Sequence, residues 1–386
     1  MNKPKVKPNS PFFSSGPCAK NPDWDISNLD ISALARSHRA KEPKAMIEKS
    51  INLTAELLEI PDDYRVAIVP ASDTGAFELA MWTLLGYCGV DILAWESFGK
   101  GWVGDITKEL KLKDIRIFEA EYGELPDLKL IDFNRDVVFT LNGTTSGVRV
   151  PNLNWIDSQR KGLTLCDATS GIFAQLIDWS KLDVTTFSWQ KVLGGEAQHG
   201  MIIFSPRAIE RLNIYNPSWP IPKLFRLKKS GTVDEQIFKG STINTPSLLC
   251  VADYINALEW VDRIGGLRAL VDRADRNSEV ISEWVKETPW IKFLAKDKDT
   301  RSNTSVCLEF CNFDEVSGDQ VDVTLFAKKI ASLLESENVA YDISSYRDAP
   351  PGLRIWCGST IEETDIALLI PWIEWAYLMT INSLKN

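Results

Sequence analysis

A single lysine, Lys191, closes a β-branched and aromatic run, Val184 to Trp189, and the chain then turns through the pair Gly194-Gly195. Apolar surroundings disfavour an ammonium, so an amine at such a strand mouth loses its proton nearer neutrality and becomes a nucleophile toward an aldehyde. The chemistry is Schiff-base formation. A lysine after a strand is also a common solvated strand end, so the reading turns on its partners. Asp167 ends another apolar run, Leu163 to Asp167. A buried carboxylate there would keep the ring nitrogen of a pyridine aldehyde protonated and make the ring an electron sink. Taken alone, Asp167 would serve equally well as a cap for the Ala-Thr-Ser turn that follows. Trp102, before or at the opening of a helix, has the flat surface to cover such a ring, and otherwise packs a helix start.

These residues need a scaffold that brings strand ends together. Buried strands at Arg65 to Val69, Val90 to Trp95, Ile115 to Glu119, Val137 to Leu141 and Leu163 to Asp167 alternate with helices at Pro43 to Leu58, Ala76 to Leu85 and Gly99 to Leu112. That order predicts an α/β fold with a mostly parallel central sheet, which binds ligands at the carboxyl ends of its strands. Ser72 with Thr74, Asn142 with Thr144, Asp167 with Thr169, and Gln190 with Lys191 each follow a strand. The loop Pro70 to Gly75 before its helix would hold a phosphate through free N–H groups and the helix dipole, with Ser72 or Asp73 alternatively a plain N-cap. Asp73 stands out there, because an acid beside a phosphate is unfavourable unless its side chain turns away.

A further strand, Met201 to Phe204, would pair with the lysine strand. Helices at Ser247 to Arg263 and Leu267 to Glu287 flank the break at Gly265-Gly266. Strands at Ile291 to Leu294, Ser305 to Phe310 and Leu353 to Cys357, with helices near Val323 to Ser336 and Glu362 to Ile381, make a smaller C-terminal α/β domain. The expected division is an N-terminal segment 1–20 that contributes to the active site, a large domain 21–270 and a small domain 271–386.

With 386 residues, 44% apolar and 25% charged, the chain reads as an ordinary globular protein. A net charge of −10 with no basic run longer than a pair argues against a nucleic-acid surface or an anionic membrane as partner. No signal-like N-terminus and no uninterrupted apolar span of membrane length is evident, and a cytoplasmic location is expected. Seven cysteines without a Cys-x-x-Cys pattern read as reduced core residues, and two histidines leave little for a metal site.

The ordered set Phe-Ser-Ser-Gly-Pro (Phe13 to Pro17), Ser-His-Arg (Ser37 to Arg39), Asp167, Trp-Gln-Lys ending at Lys191, Ile-Asn-Thr-Pro (Ile243 to Pro246) and Gly-Leu-Arg (Gly352 to Arg354) resembles the phosphoserine aminotransferases. These belong to the class V pyridoxal-phosphate enzymes, with the aspartate-aminotransferase-like fold. The motifs span nearly the whole chain. The resemblance implies that Lys191 carries pyridoxal 5'-phosphate as a Schiff base and shuttles a proton, that Asp167 holds the ring nitrogen, and that Trp102 stacks. Thr144 would reach the phenolic side, with Gln190, Asp73 and Thr74 near the phosphate. Asn244 and Thr245 would come from the neighbouring subunit of a homodimer with shared active sites. Ser15, His38, Arg39, Arg347 and Arg354 would bind substrate, since arginine suits bidentate recognition of carboxylate or phosphate.

The implied reaction converts 3-phosphohydroxypyruvate and L-glutamate to O-phospho-L-serine and 2-oxoglutarate, in serine biosynthesis, with the analogous phosphohydroxythreonine step of vitamin B6 synthesis as a further expectation. Two departures stand beside it. Ser72-Asp73-Thr74-Gly75 stands where many members carry a Gly-rich phosphate loop, and Tyr346-Arg347 occupies the place of a common His-Arg pair, with Asp348 offering Arg347 a surface partner. The alternatives are a class V transaminase of the alanine or serine-glyoxylate type and a catalytically silent binding protein. A cysteine desulfurase fits less well, because Cys357 falls within a strand.

Overall fold

A computed structural model describes residues 2–312 and 321–384. Its centre is a seven-stranded sheet: β1 (Arg65–Pro70), β2 (Val90–Ala94), β3 (Ile115–Glu119), β4 (Asp136–Thr140), β5 (Thr164–Asp167), β6 (Val184–Ser188) and β7 (His199–Phe204). The spatial order is β1-β7-β6-β5-β4-β2-β3. All parallel pairings lie between β3 and β6, and β7 runs antiparallel to both β6 and β1, so one strand of seven is reversed. The expected pairing of the lysine strand with the next strand is present, with Ser188 opposite Gly200. Strands β1, β2 and β4 to β7 are buried almost throughout, as a sheet covered on both faces must be.

Helix α1 (Lys41–Leu57) packs on α5 (Leu248–Arg263), while α2 (Ser72–Leu84) lies across β6 and β7. Two boundaries differ from the sequence reading. Helix α2 begins at Ser72 rather than Ala76, because Ala71 takes a left-handed turn (φ 68°) that sends the chain from strand to helix without a loop. Helix α3 (Ser97–Gly104) contains Trp102 instead of being opened by it, and continues as a π-helical turn over Asp105–Glu109.

After α4 (Pro206–Ile214), α5 and α6 (Gly266–Glu287), three antiparallel strands, β8 (Ile291–Phe293), β9 (Ser305–Phe310) and β10 (Leu353–Trp356), form a second sheet covered by α7 (Val323–Ser336) and α8 (Glu363–Leu384). By length and composition Glu363–Ser383 could cross a membrane, with a mean hydropathy of 1.2, although Asp365 and Glu374 interrupt it. Its buried residues Ile366, Leu369, Ile373, Ala376 and Tyr377 recur at helical spacing, so one face packs against α6 and α7 as a core helix does.

The N-terminal segment joins the two sheets. Trp356 on β10 donates its N–H to the Phe13 carbonyl (3.0 Å), Tyr341 donates to Pro11 (2.8 Å), and Cys18 donates to the Gln190 carbonyl (2.8 Å). Residues 11–18 therefore run from the edge of the small sheet to the lysine loop.

Candidate active site

The carboxyl ends of β1, β2, β4, β5 and β6 surround a cavity of ≈ 380 Å³. Its wall includes Asp73 and Thr74 from the first turn of α2, Glu96 and Trp102 around α3, and Thr144 after β4. Asp167 after β5 and Gln190-Lys191 after β6 complete it. Seven residues proposed from sequence for cofactor chemistry thus face one space. Ser15 adjoins them, since Lys191 Nζ donates to its carbonyl.

Acids are treated differently at the two ends of the sheet. Near its amino ends, Asp136 pairs with Arg211 at 3.0 Å, Asp183 with Arg160 at 2.9 Å, and Asp91 with Arg135 at 2.8 Å. At the carboxyl ends Asp73, Glu96 and Asp167 are just as buried, yet among the described residues none of them is paired with a lysine or arginine. Unpaired buried acids cost several kcal/mol each if ionised. A fold that keeps three of them around one cavity is organised for chemistry there rather than for stability.

Asp167 is held at both oxygens: the Thr169 N–H donates to Oδ1 (3.0 Å) and the Trp102 indole N–H to Oδ2 (3.2 Å). Trp102 leans on Phe77, with ring centroids 4.8 Å apart, so its position is fixed from behind. Burial holds the Lys191 amine below the usual lysine range; Cys18 opposes it, the nearby charge of Arg354 adds to it, and Asp167 and Glu96 oppose it more weakly. The lysine sits in a tight turn. Gly194 donates to the Lys191 carbonyl (3.0 Å) and Gly195 to the Trp189 carbonyl (2.8 Å), while the Trp189 ring stacks on Tyr254 at 4.3 Å. Asp253 on α5 steadies the same loop by accepting from the Glu196 N–H (3.0 Å) and from Lys20 (2.8 Å).

Glu96 escaped the sequence reading. It accepts from the Gly99 N–H (2.7 Å) and the Thr145 hydroxyl (2.8 Å), which makes it the cap of α3 and ties that helix to the loop after β4. Burial lifts its carboxyl above the ordinary glutamate range. Glu-x-x-Gly before a helical stretch was the available signal. Thr144 donates to Ser170 Oγ (2.7 Å), as does Asn142 Nδ2 (2.8 Å), so the loops after β4 and β5 share one hydroxyl. Phe98 and Tyr346 meet at 5.7 Å over the mouth.

The proposed substrate residues are spread more widely. Arg354 on β10 is near enough to Lys191, Cys18 and Cys307 to act on each electrostatically, and its Nε is buried without a hydrogen-bond partner. Arg347 is exposed and pairs with Asp348 at 3.4 Å, the surface pairing its neighbour offers. His38, Arg39, Asn244 and Thr245 lie outside this cavity, Arg39 and Thr245 exposed.

His199, at the start of β7, accepts the Ser247 N–H at Nε2 (3.0 Å) and meets Trp189 edge-on at 5.1 Å. Burial depresses its pKa from 6.5 to about 4. The folded state therefore favours neutral imidazole, and the stability it contributes is complete above pH 6.5 and is lost as pH falls through the window down to 4. Thermal unfolding across that window should show a smaller acid loss in His199→Gln than in the natural protein; equal slopes would remove His199 as the cause.

No family model matches the chain. It is 56% identical over 375 residues to a phosphoserine aminotransferase of Methanosarcina barkeri, covering 97% of this chain and 99% of the relative. Among solved structures, a phosphoserine aminotransferase of Cytophaga hutchinsonii superposes with a TM-score of 0.79 at 20% identity, over 95% of this chain and 99% of that one. A phosphoserine aminotransferase of Trichomonas vaginalis with bound pyridoxal phosphate gives 0.74 at 16% identity, over 95% and 100%.

Proposed function

Because the chain belongs to the phosphoserine aminotransferase family, we propose that it transfers the amino group of L-glutamate to 3-phosphohydroxypyruvate, giving O-phospho-L-serine and 2-oxoglutarate with pyridoxal phosphate as cofactor. The observation that carries this reading is the pairing of a buried lysine and a buried, doubly held aspartate on opposite sides of one cavity.

The cavity suits that cofactor. The Ala71 turn leaves the Ser72, Asp73 and Thr74 N–H groups at the head of α2 without a side-chain cap, which favours an anion such as the phosphate. Gln190 Oε1 and Thr140 Oγ1 are buried in the wall without partners, as polar groups meant for a ligand are. When bound, pyridoxal phosphate supplies an aldehyde and a pyridine ring that draws electrons from the substrate α-carbon. Lys191 would provide the amine that meets the aldehyde and would take up and return the substrate α-proton. Its lowered basicity leaves more of it neutral and ready to accept that proton. Asp167 would hold the ring nitrogen, and its two fixed donors keep it in place for the task. Arg354 would meet a substrate carboxylate.

Arg39 and Thr245 lie exposed outside the chain's own cavity, and the half-buried His38 and Asn244 also lie outside it. This supports a homodimer in which each subunit supplies these residues to its neighbour. All seven cysteines are free, in keeping with a reducing cytoplasmic location. The proposed division into 1–20, 21–270 and 271–386 follows the two sheets.

Incubation with phosphoserine and 2-oxoglutarate should form glutamate far faster than incubation with serine, at a solution mass twice 43.4 kDa. Arg354→Ala should raise KM for glutamate or phosphoserine by about tenfold or more. Equal rates with serine and phosphoserine would rule out the substrate assignment.

A further inference from the structure

Asp73 occupies the first turn of α2, where a phosphate-binding helix start would be better served by a residue without charge. Its side chain does not turn to solvent. It is 7% exposed and lines the cavity together with Asp167, itself 8% exposed. The two carboxyl groups lie within reach of each other, while Asp73 Oδ1 and the nearby Thr169 and Thr186 hydroxyls are buried without a hydrogen-bond partner. Both oxygens of Asp167 already accept N–H groups. Two buried carboxylates in contact cannot both stay ionised, and a shared proton is the usual resolution.

We propose that Asp73 is a positioning residue: it remains a neutral carboxylic acid, donates its O–H to the Asp167 carboxylate, and so keeps the pair at a single negative charge while fixing the oxygen that meets the cofactor ring nitrogen. The proposal takes the role of Asp167 from the function proposed above. The surroundings explain which member keeps the proton. Asp167 receives two N–H donors, and Lys191 lies near enough to interact with it electrostatically. Asp73 is faced by Asp167 and by the buried Cys166 thiol behind it, and among the described residues no lysine or arginine pairs with it. Glu96 adds a further acid on the Asp167 side. Burial and then the charge of Asp167 both push the Asp73 carboxyl well above the usual aspartate range.

An acid in this position does what an uncharged side chain could not. A donor aimed at Asp167 restrains its rotation, so that the ring nitrogen meets one fixed carboxylate instead of a dianion. It also spares the phosphate end of the cavity an extra negative charge, which resolves the apparent conflict of an aspartate at a helix head that must bind an anion.

The test reads the proton directly. In cofactor-free protein labelled with 13C at aspartate carboxyls, infrared difference spectra at neutral pH between the natural protein and Asp73→Asn should show loss of one protonated-carboxyl band. Absence of such a band in the natural protein, or its persistence in the variant, overturns the proposal. Should Asp73→Asn fail to fold, Asp73→Ser gives the same comparison. In the cofactor-loaded protein, the pH midpoint of the Schiff-base absorbance should be unchanged in Asp73→Asn, since an amide donor replaces an acid donor without a change of charge. A midpoint lowered by about one unit or more would mean that a second carboxylate had been removed, and would also overturn it. Failure to form any coloured Schiff base would count against the proposed function, while the spectra of the cofactor-free protein still decide where the proton is.

Discussion

Lys191→Ala is expected to lower turnover by at least about 10²- to 10⁴-fold, because on the proposed assignment it removes both the amine for the cofactor and the base for the α-proton. Folding should not suffer. Among the described residues the amine's only hydrogen bond is to the Ser15 carbonyl, and the side chain lines an open cavity, so truncation leaves no collapsed core behind it. A buried amine of lowered basicity is itself a liability, and its removal should leave Tm equal or raise it. Two measurements check this together: steady-state transamination, and borohydride reduction, which should fix the cofactor covalently in the natural protein and not in the variant. A variant with natural turnover would end the Schiff-base assignment.

Gly16→Ala should be nearly as damaging, although Gly16 belongs to no helix or strand and performs no chemistry. Its φ of 154° lies at the edge of the region that side chains rarely adopt, and a Cβ there would collide with Lys191 Nζ and approach Cε to 3.1 Å. The flexible lysine end would give way before the backbone did. Displacing a reacting atom by about 1 Å can cost on the order of 10²-fold in rate, so kcat should drop by roughly that factor while Tm changes little. The pairing of a large kinetic loss with a preserved melting curve distinguishes a shifted nucleophile from a damaged fold. An unaltered kcat would show that the lysine has room the structure does not grant it.

The parts of this molecule readable from sequence were those whose physics is local. Apolar runs bounded by polar residues marked the strands. Lys191 and Asp167 could be singled out because each directly follows such a run, and sheet topology then puts them at the same edge. The start of α2 was not readable, since it depends on Ala71 adopting a left-handed conformation, which alanine does not advertise. Likewise the Trp102 indole was assigned to the face of a ring, and its hydrogen bond to Asp167 could be seen only once α3 was placed beside β5. The direction of the Asp73 side chain was the other gap. Sequence showed a charge in an awkward place, and only the packing of α2 across the sheet put that side chain inside the cavity with Asp167.

The segment Pro11 to Cys18 also bears on the order in which the protein is made. Ser15 leaves the ribosome early, yet Ser305, which donates to its hydroxyl at 3.3 Å, lies 290 residues later, and the Phe13 carbonyl waits for Trp356. Contacts of such long range form late in folding. The large sheet ends at Phe204, but the wall beside Lys191 also needs Ser305 and Trp356, so a growing chain that has not reached Trp356 lacks part of that wall.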